Sequence, residues 1–214
     1  MAIVPRDTTT ILGIKAAVTG STLLIAGGMA NTSLSFIPNL IKAAQTMPST
    51  RPSMSRLESG RLTPHPDGGN ISAAHAAANE GYQMPAKQFV NMSKTAFATQ
   101  VPPELLSIAA SGYLAYHYRQ LGASFAGYKW TAVAVLIASI FPFTGALMVP
   151  IDHKIAQIGG VEEKPEPYED APLDRHAERR NAVEFLRKWN SLNTLRSAIM
   201  FVAGGIGLWS LVEE

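Results

Sequence analysis

Trp189, Asn193, Arg196 and Met200 follow one another at steps of four, three and four residues, so a helix carries all of them on one face. A guanidinium and an amide on one face can hold an oxyanion, and the indole can stack on a flat ring. Asp152 and His153 are adjacent in the chain, and both are side chains that move protons in general acid–base catalysis. Glu104 and Asn39 add a further carboxylate and amide. Each of these residues stands at the edge of a long uncharged stretch, and polar groups at membrane depth are costly and often functional. A plainer reading stands beside this one. Arg and Trp anchor helix ends at membrane surfaces, and an Asp152–Arg196 pair can simply clamp two helices together.

The elements that must position these residues are long helices. Ala16 to Ile41 is a run of 26 uncharged residues, and a membrane helix needs about 20; it predicts a retained first span over 11–42. Thr95 to Tyr118 is interrupted only by Glu104, and Pro102 and Pro103 suit a first turn, predicting a second helix over 101–119. Its tail of Tyr113, Tyr116, His117, Tyr118 and Arg119 reads as an interfacial belt, with a belt or stacking role for His117. Trp130 to Ile151 is 22 uncharged residues and predicts a third helix over 129–151, kinked at Pro142. The fourth is expected over 189–212, with the segment from Asp174 already helical and running into it. Segments 46–85 and 159–180 read as loops, the first with a short alanine-rich helix near 71–79. The fold class expected is all-α: one domain over 1–214, an integral membrane four-helix bundle with two long loops on one side. That topology brings Asn39, Glu104, Asp152, His153, Asn193 and Arg196 to one membrane surface. No internal repeat is apparent, which argues against a transporter.

Composition narrows the chemistry. The chain is 47% hydrophobic and 16% charged with a formal net charge of +2, where soluble domains carry ~25% charged residues. No basic stripe with interleaved aromatics points to nucleic acid. The absence of cysteine excludes thiol nucleophiles, disulfide relays and thiolate metal sites. His65, His75 and His176 are expected in loops without metal spacing, and no phosphate loop or nucleophile elbow is present. Lys and Arg concentrate in the two long loops, from Lys42 to Lys94 and from Lys154 to Lys188, which places those loops in the cytosol. Asn70-Ile-Ser72 and Asn91-Met-Ser93 are glycosylation sequons, and sugar on either would reverse that orientation.

Phe143-Thr144-Gly-Ala-Leu-Met148-Val-Pro150-Ile-Asp152-His153-Lys154-Ile155 resembles the end of the third helix in the anthrone oxygenase-like family, and Trp189-Asn-Ser-Leu192-Asn193-Thr-Leu195-Arg196 resembles the start of its fourth. Pro38 at the end of the first helix is a weaker third match. Asp152 stands where the family usually has Asn, and an insertion from about Thr46 to Tyr82 precedes the second helix; either is a route to a different substrate. The resemblance implies a small four-helix membrane oxygenase of polyketide secondary metabolism, typical of filamentous fungi, which converts an anthrone to a quinone. O2 would be co-substrate, with no flavin or haem expected and a metal left open.

An anthrone has an acidic ring CH2 because its anion is an aromatic alkoxide. On this reading Asp152 or His153 is the base, Arg196 and Asn193 hold the oxyanion, and Trp189 stacks on the substrate. Thr144, Met148, Met200 and Glu104 complete the substrate slot. The expected partners are the lipid bilayer and a flat aromatic small molecule, with homo-oligomerisation open; the expected location is the endoplasmic reticulum or another internal membrane. A non-catalytic four-span scaffold and a haem or metal redox protein are the competing classes.

Overall fold

The structure is a computed structural model that describes residues 7–46, 83–161 and 175–213. Among the described residues there is no strand. Four long helices pack as a bundle: α1 (Thr9–Thr46), α2 (Gln83–Gln120), α3 (Ser124–Ile158) and α4 (Arg175–Val212). Three of them contain segments long and apolar enough to cross a membrane: Thr9–Thr46, Ser124–Ile158 and Arg179–Val212. A helix of 38 residues, such as α2, is about 57 Å long at 1.5 Å per residue, so each rod outreaches a hydrocarbon core of ~30 Å. The expected 46–85 loop lies almost wholly outside the described residues, as does the alanine-rich stretch within it.

Local chemistry explains the helix ends. The Thr8 hydroxyl accepts from the Ile11 N–H at 3.4 Å and caps α1. The α2–α3 turn closes on Gly122, whose φ of 73° suits only glycine, and the Ala123 N–H returns to the Tyr118 carbonyl at 2.9 Å. The second helix is already formed at Gln83, the first described residue of its segment, well before 101, and Pro102 and Pro103 lie inside it. Its first half gave no apolar signal because it carries Lys87, Asn91, Lys94 and Gln100. The third helix runs past the expected 151 to Ile158, and the fourth is continuous from Arg175, which places His176 in a helix and not in a loop.

Both α1 and α3 contain a single wide turn, Thr32–Phe36 and Thr144–Met148, in which the chain bonds five residues back: Ile37 N–H to the Thr32 carbonyl and Val149 N–H to the Thr144 carbonyl. Pro38 and Pro150 each follow by two residues. A proline cannot donate to the carbonyl four residues earlier and its ring crowds that carbonyl, so one extra residue is looped into the helix just ahead of it. In α3 the irregularity thus falls after Pro142, between the two prolines.

This shared irregularity belongs to a larger internal repeat, contrary to the sequence expectation. Thr32, Pro38 and Lys42 match Thr144, Pro150 and Lys154 at identical spacing. At one constant offset along the chain, Phe97, Glu104 and Gly112 of α2 match Trp189, Arg196 and Gly204 of α4. Packing follows the same rule, because α1 packs most closely on α4 and α2 on α3. The first helix pair thus resembles the second in residue spacing and in packing order.

Two cores fill the bundle. One joins Val18, Ile25, Met29, Leu114, Trp130, Ile137, Met200 and Ala203; the other joins Ile37, Leu40, Phe89, Met148, Ile155, Leu186 and Trp189. At the far end of the first core Tyr118 is buried, its hydroxyl 2.5 Å from the Asp7 carboxylate, which also pairs with buried Lys15 at 2.6 Å. Tyr118 is therefore a core clamp and not part of the expected belt. Tyr113 and Tyr116 are exposed, and His117 stacks on Tyr113.

Small residues let α1 and α4 touch. A Cβ on Gly204 would fall 2.5 Å from Leu23 Cδ2, whereas one on Gly205 would meet nothing within 4 Å. Gly204→Ala should therefore destabilise the bundle by about 1–3 kcal/mol through overpacking, and Gly205→Ala should stabilise it by about 0.5–1 kcal/mol through helix propensity. Thermal unfolding in detergent measures both, and equal shifts of one sign would contradict the packing.

Candidate active site

The seam between the two cores is not filled. A cavity of about 210 Å³ lies there, walled by all four helices. From α1 come Met29 and Thr32, from α2 Ser93, Phe97, Gln100 and Glu104, from α3 Thr144, Met148 and Asp152, and from α4 Trp189, Asn193 and Arg196. Both wide turns border it through Thr32 and Thr144. Such turns occur often at functional sites; here they carry each helix past its proline and leave Thr32 and Thr144 on the cavity wall.

The polar groups are charged, buried and incompletely paired. Glu104 is buried and faces Arg196 across the diagonal of the bundle, Oε1 to Nη2 at 3.8 Å. Arg196 Nη1 lies 3.9 Å from the Met148 sulfur. The Asp152 Oδ2 accepts a 3.4 Å hydrogen bond from the Ser93 hydroxyl. The Trp189 indole lies beside this carboxylate and edge-on to Phe89. Among the described residues, Glu104 Oε1, Thr144 Oγ1, Asp152 Oδ1, Trp189 Nε1 and Arg196 Nε have no hydrogen-bond partner. Buried polar atoms are paired in the great majority of cases and each exception needs a reason. Five exceptions on one cavity wall give that wall capacity to bind a polar ligand: two acceptor oxygens, a guanidinium donor, an indole donor and one hydroxyl that can do either.

The cavity brings together Asp152, Glu104, Thr144, Met148, Trp189, Asn193 and Arg196 from the sequence-derived set. It leaves out three residues. His153 is exposed and lines a separate outer groove. Met200 continues the α4 stripe but lies in the first core, one turn beyond the cavity. Asn39 is exposed. Asn193 is present in another role than the expected one: its amide donates to the Met29 carbonyl at 3.0 Å and to the Ser33 hydroxyl at 2.9 Å. Both N–H groups are consumed, so it does not serve as an oxyanion donor; it fastens α4 to the start of the wide turn in α1. Met29, Thr32, Ser93, Phe97 and Gln100 were not expected on the wall. Ser93 was legible only as part of the Asn91-Met-Ser93 sequon, which the structure places inside α2, away from the surface loop that a glycosylation acceptor prefers. Among the described residues, no three His, Asp or Glu side chains are grouped to hold a metal ion.

The Asn193 clamp has a measurable signature. Asn193→Ala leaves the Met29 carbonyl and Ser33 hydroxyl buried without that donor and should cost about 1–3 kcal/mol. Ser33→Ala should cost less, and the double variant should cost less than the sum. Unfolding of the four proteins in one detergent tests this, and strict additivity would dissolve the clamp.

No curated protein and no solved structure matches the chain. A family model described as Anthrone oxygenase matches residues 89–206, which is more than half of the chain and takes in every cavity-lining residue of α2, α3 and α4 named above. The chain belongs to the anthrone oxygenase family, and the name of that family points to oxygenase-type chemistry.

Proposed function

We propose that the protein oxidises an anthrone-type or related phenolic polyketide intermediate to a quinone, with O2 as co-substrate. One observation carries this reading: carboxylate, guanidinium and hydroxyl atoms without hydrogen-bond partners belong to residues lining one cavity, whose walls also include the apolar side chains of Met29, Phe97, Ile140, Phe141 and Met148. Such a space suits a flat apolar ring bearing an oxygen.

In the proposed reaction the ring CH2 gives its proton to Asp152 Oδ1, and the electron pair left behind makes the ring aromatic with its negative charge on oxygen. Arg196, held by Glu104, and the Thr144 hydroxyl stabilise that oxyanion, each preorganised donor contributing about 3–4 kcal/mol. Trp189 packs along the ring. The anion then passes one electron to O2. Carbon and the reduced O2 recombine, one proton is taken up to give a hydroperoxide, and loss of water leaves the second carbonyl. Each turnover consumes one anthrone and one O2 and yields one quinone and one water. Of the two base candidates, Asp152 lines the cavity and His153 lines the outer groove, which favours Asp152. The loops rich in Lys and Arg support an orientation with that end of the bundle in the cytosol, in an internal membrane such as the endoplasmic reticulum.

The test is quinone formation from emodin anthrone by membrane-inserted protein, with and without O2, above the spontaneous rate. Acceleration should require O2 and vanish in Arg196→Ala. Asp152→Asn installs the residue that the family usually has at this place and so separates the two base candidates: a loss of turnover of about 10²–10⁴-fold marks Asp152 as the base, and retained turnover moves that role to His153. Full activity in Asp152→Asn would remove Asp152 as the base. No acceleration from folded wild-type protein would favour the scaffold reading.

A further inference from the structure

The internal repeat supplies a comparison within one molecule. The matching packing sets up two comparable interhelical gaps, one between α2 and α3 and one between α4 and α1. At matching positions of the two gaps stand Ser93 and Phe185, Lys94 and Leu186, Asp152 and Leu40, and His153 and Ile41. The α4–α1 gap is therefore apolar at all four positions, and its residues belong to one packed core with Leu40 and Leu186 buried. The α2–α3 gap is polar at all four. It is open, forming an outer groove of about 310 Å³ that carries exposed Lys94 and His153. Packing alone would favour the same apolar seal on both sides, since the fold already shows that the seal fits.

The outer groove and the inner cavity share four wall residues, Ser93, Phe97, Val149 and Asp152. The partition between the two spaces includes a 3.4 Å hydrogen bond from Ser93 to Asp152, long for an O–H donor. Phe97 beside it is exposed to the outside. We propose that the α2–α3 gap is the side entrance through which the flat phenolic substrate reaches the cavity, with the Ser93–Asp152 contact as its door and Lys94 and His153 as first contacts for the phenol oxygen. This rests on the substrate class proposed above and adds the route and the residues that select for it. An entrance between helices takes an apolar substrate directly from the lipid without passage through water.

The sealed gap prescribes the test. Ser93→Phe imports the residue that closes the other side. Emodin anthrone binding is followed without O2 by stopped-flow quenching of tryptophan fluorescence in nanodiscs, so that no turnover is needed. The association rate should fall about tenfold or more in Ser93→Phe, as expected when an access step is obstructed. It should fall also in K94L/H153I, whose changes lie at exposed positions and leave folding intact. Phe185→Leu, in the sealed gap, should associate at the wild-type rate. Wild-type association in folded Ser93→Phe, or in K94L/H153I, would overturn the side entrance while leaving the oxygenase reading in place. Absence of quenching by the wild-type protein would instead overturn the substrate class, and the entrance with it.

Discussion

A guanidinium held between helices, in a place that most membrane proteins fill with apolar side chains, sets the terms for the rest of this bundle. Arg196 cannot shed its charge, and its nearest counter-charge, Glu104, stands 3.8 Å away on the opposite helix. Removing two such ions from water costs several kcal/mol each, and Coulomb attraction offsets that only with good geometry and further hydrogen bonds. Here the geometry is loose and Arg196 Nε lacks a partner. The arrangement is therefore a poor device for stability, and a good one for receiving a negative charge that forms only during a reaction. The stability comes from elsewhere: from the two apolar cores on either side, the glycine contacts of α1 with α4, and the Asp7–Tyr118–Lys15 clamp at the far end.

The prolines connect this ion pair to the fold. Pro38 and Pro150 force the wide turns, and those turns put Thr32 and Thr144 on the cavity wall. Asn193 occupies two groups at the turn in α1, the Met29 carbonyl and the Ser33 hydroxyl, and so fixes α4 against α1 three residues from Arg196. A residue that resembles a ligand-binding amide in sequence thus acts on the site through the backbone that surrounds it.

What the sequence disclosed follows from which signals are one-dimensional. Uncharged runs revealed α1, α3 and α4 because a lipid-facing helix is apolar through most of its length. The first half of α2 gave no such signal, since it lines the cavity with Ser93 and Gln100 and exposes Lys94 and Asn91. Helical spacing put Trp189, Asn193 and Arg196 on one face correctly. It could not say where the cavity ends, so Met200, on the same stripe, was drawn into the site although it is core. Adjacency likewise could not separate Asp152 from His153: neighbouring residues on a helix point about 100° apart, and one faces the cavity while the other faces out. The repeat was hidden because the matching positions have diverged in chemistry, Ser93 against Phe185 and Asp152 against Leu40, while the shared features are a spacing of Thr, Pro and Lys and the Phe97/Trp189 and Gly112/Gly204 pairs.

That divergence explains why the two halves are useful in a single chain. A true two-fold dimer of one helix pair would place identical side chains at the positions of Glu104 and Arg196, since a symmetric interface presents the same patch twice. Two arginines or two glutamates would then face each other across the cavity, and like charges at such a distance in a poorly solvated space repel strongly. With both halves in one chain, the equivalent positions are free to carry opposite charges and the equivalent gaps to become one seal and one opening. The seal retains apolar packing on the α1–α4 side, and the polar residues are confined to the α2–α3 side, where Asp152 stands next to the opening. Divergence between two similar helix pairs lets the bundle hold a carboxylate, a guanidinium and an outer groove at one level without giving up its core.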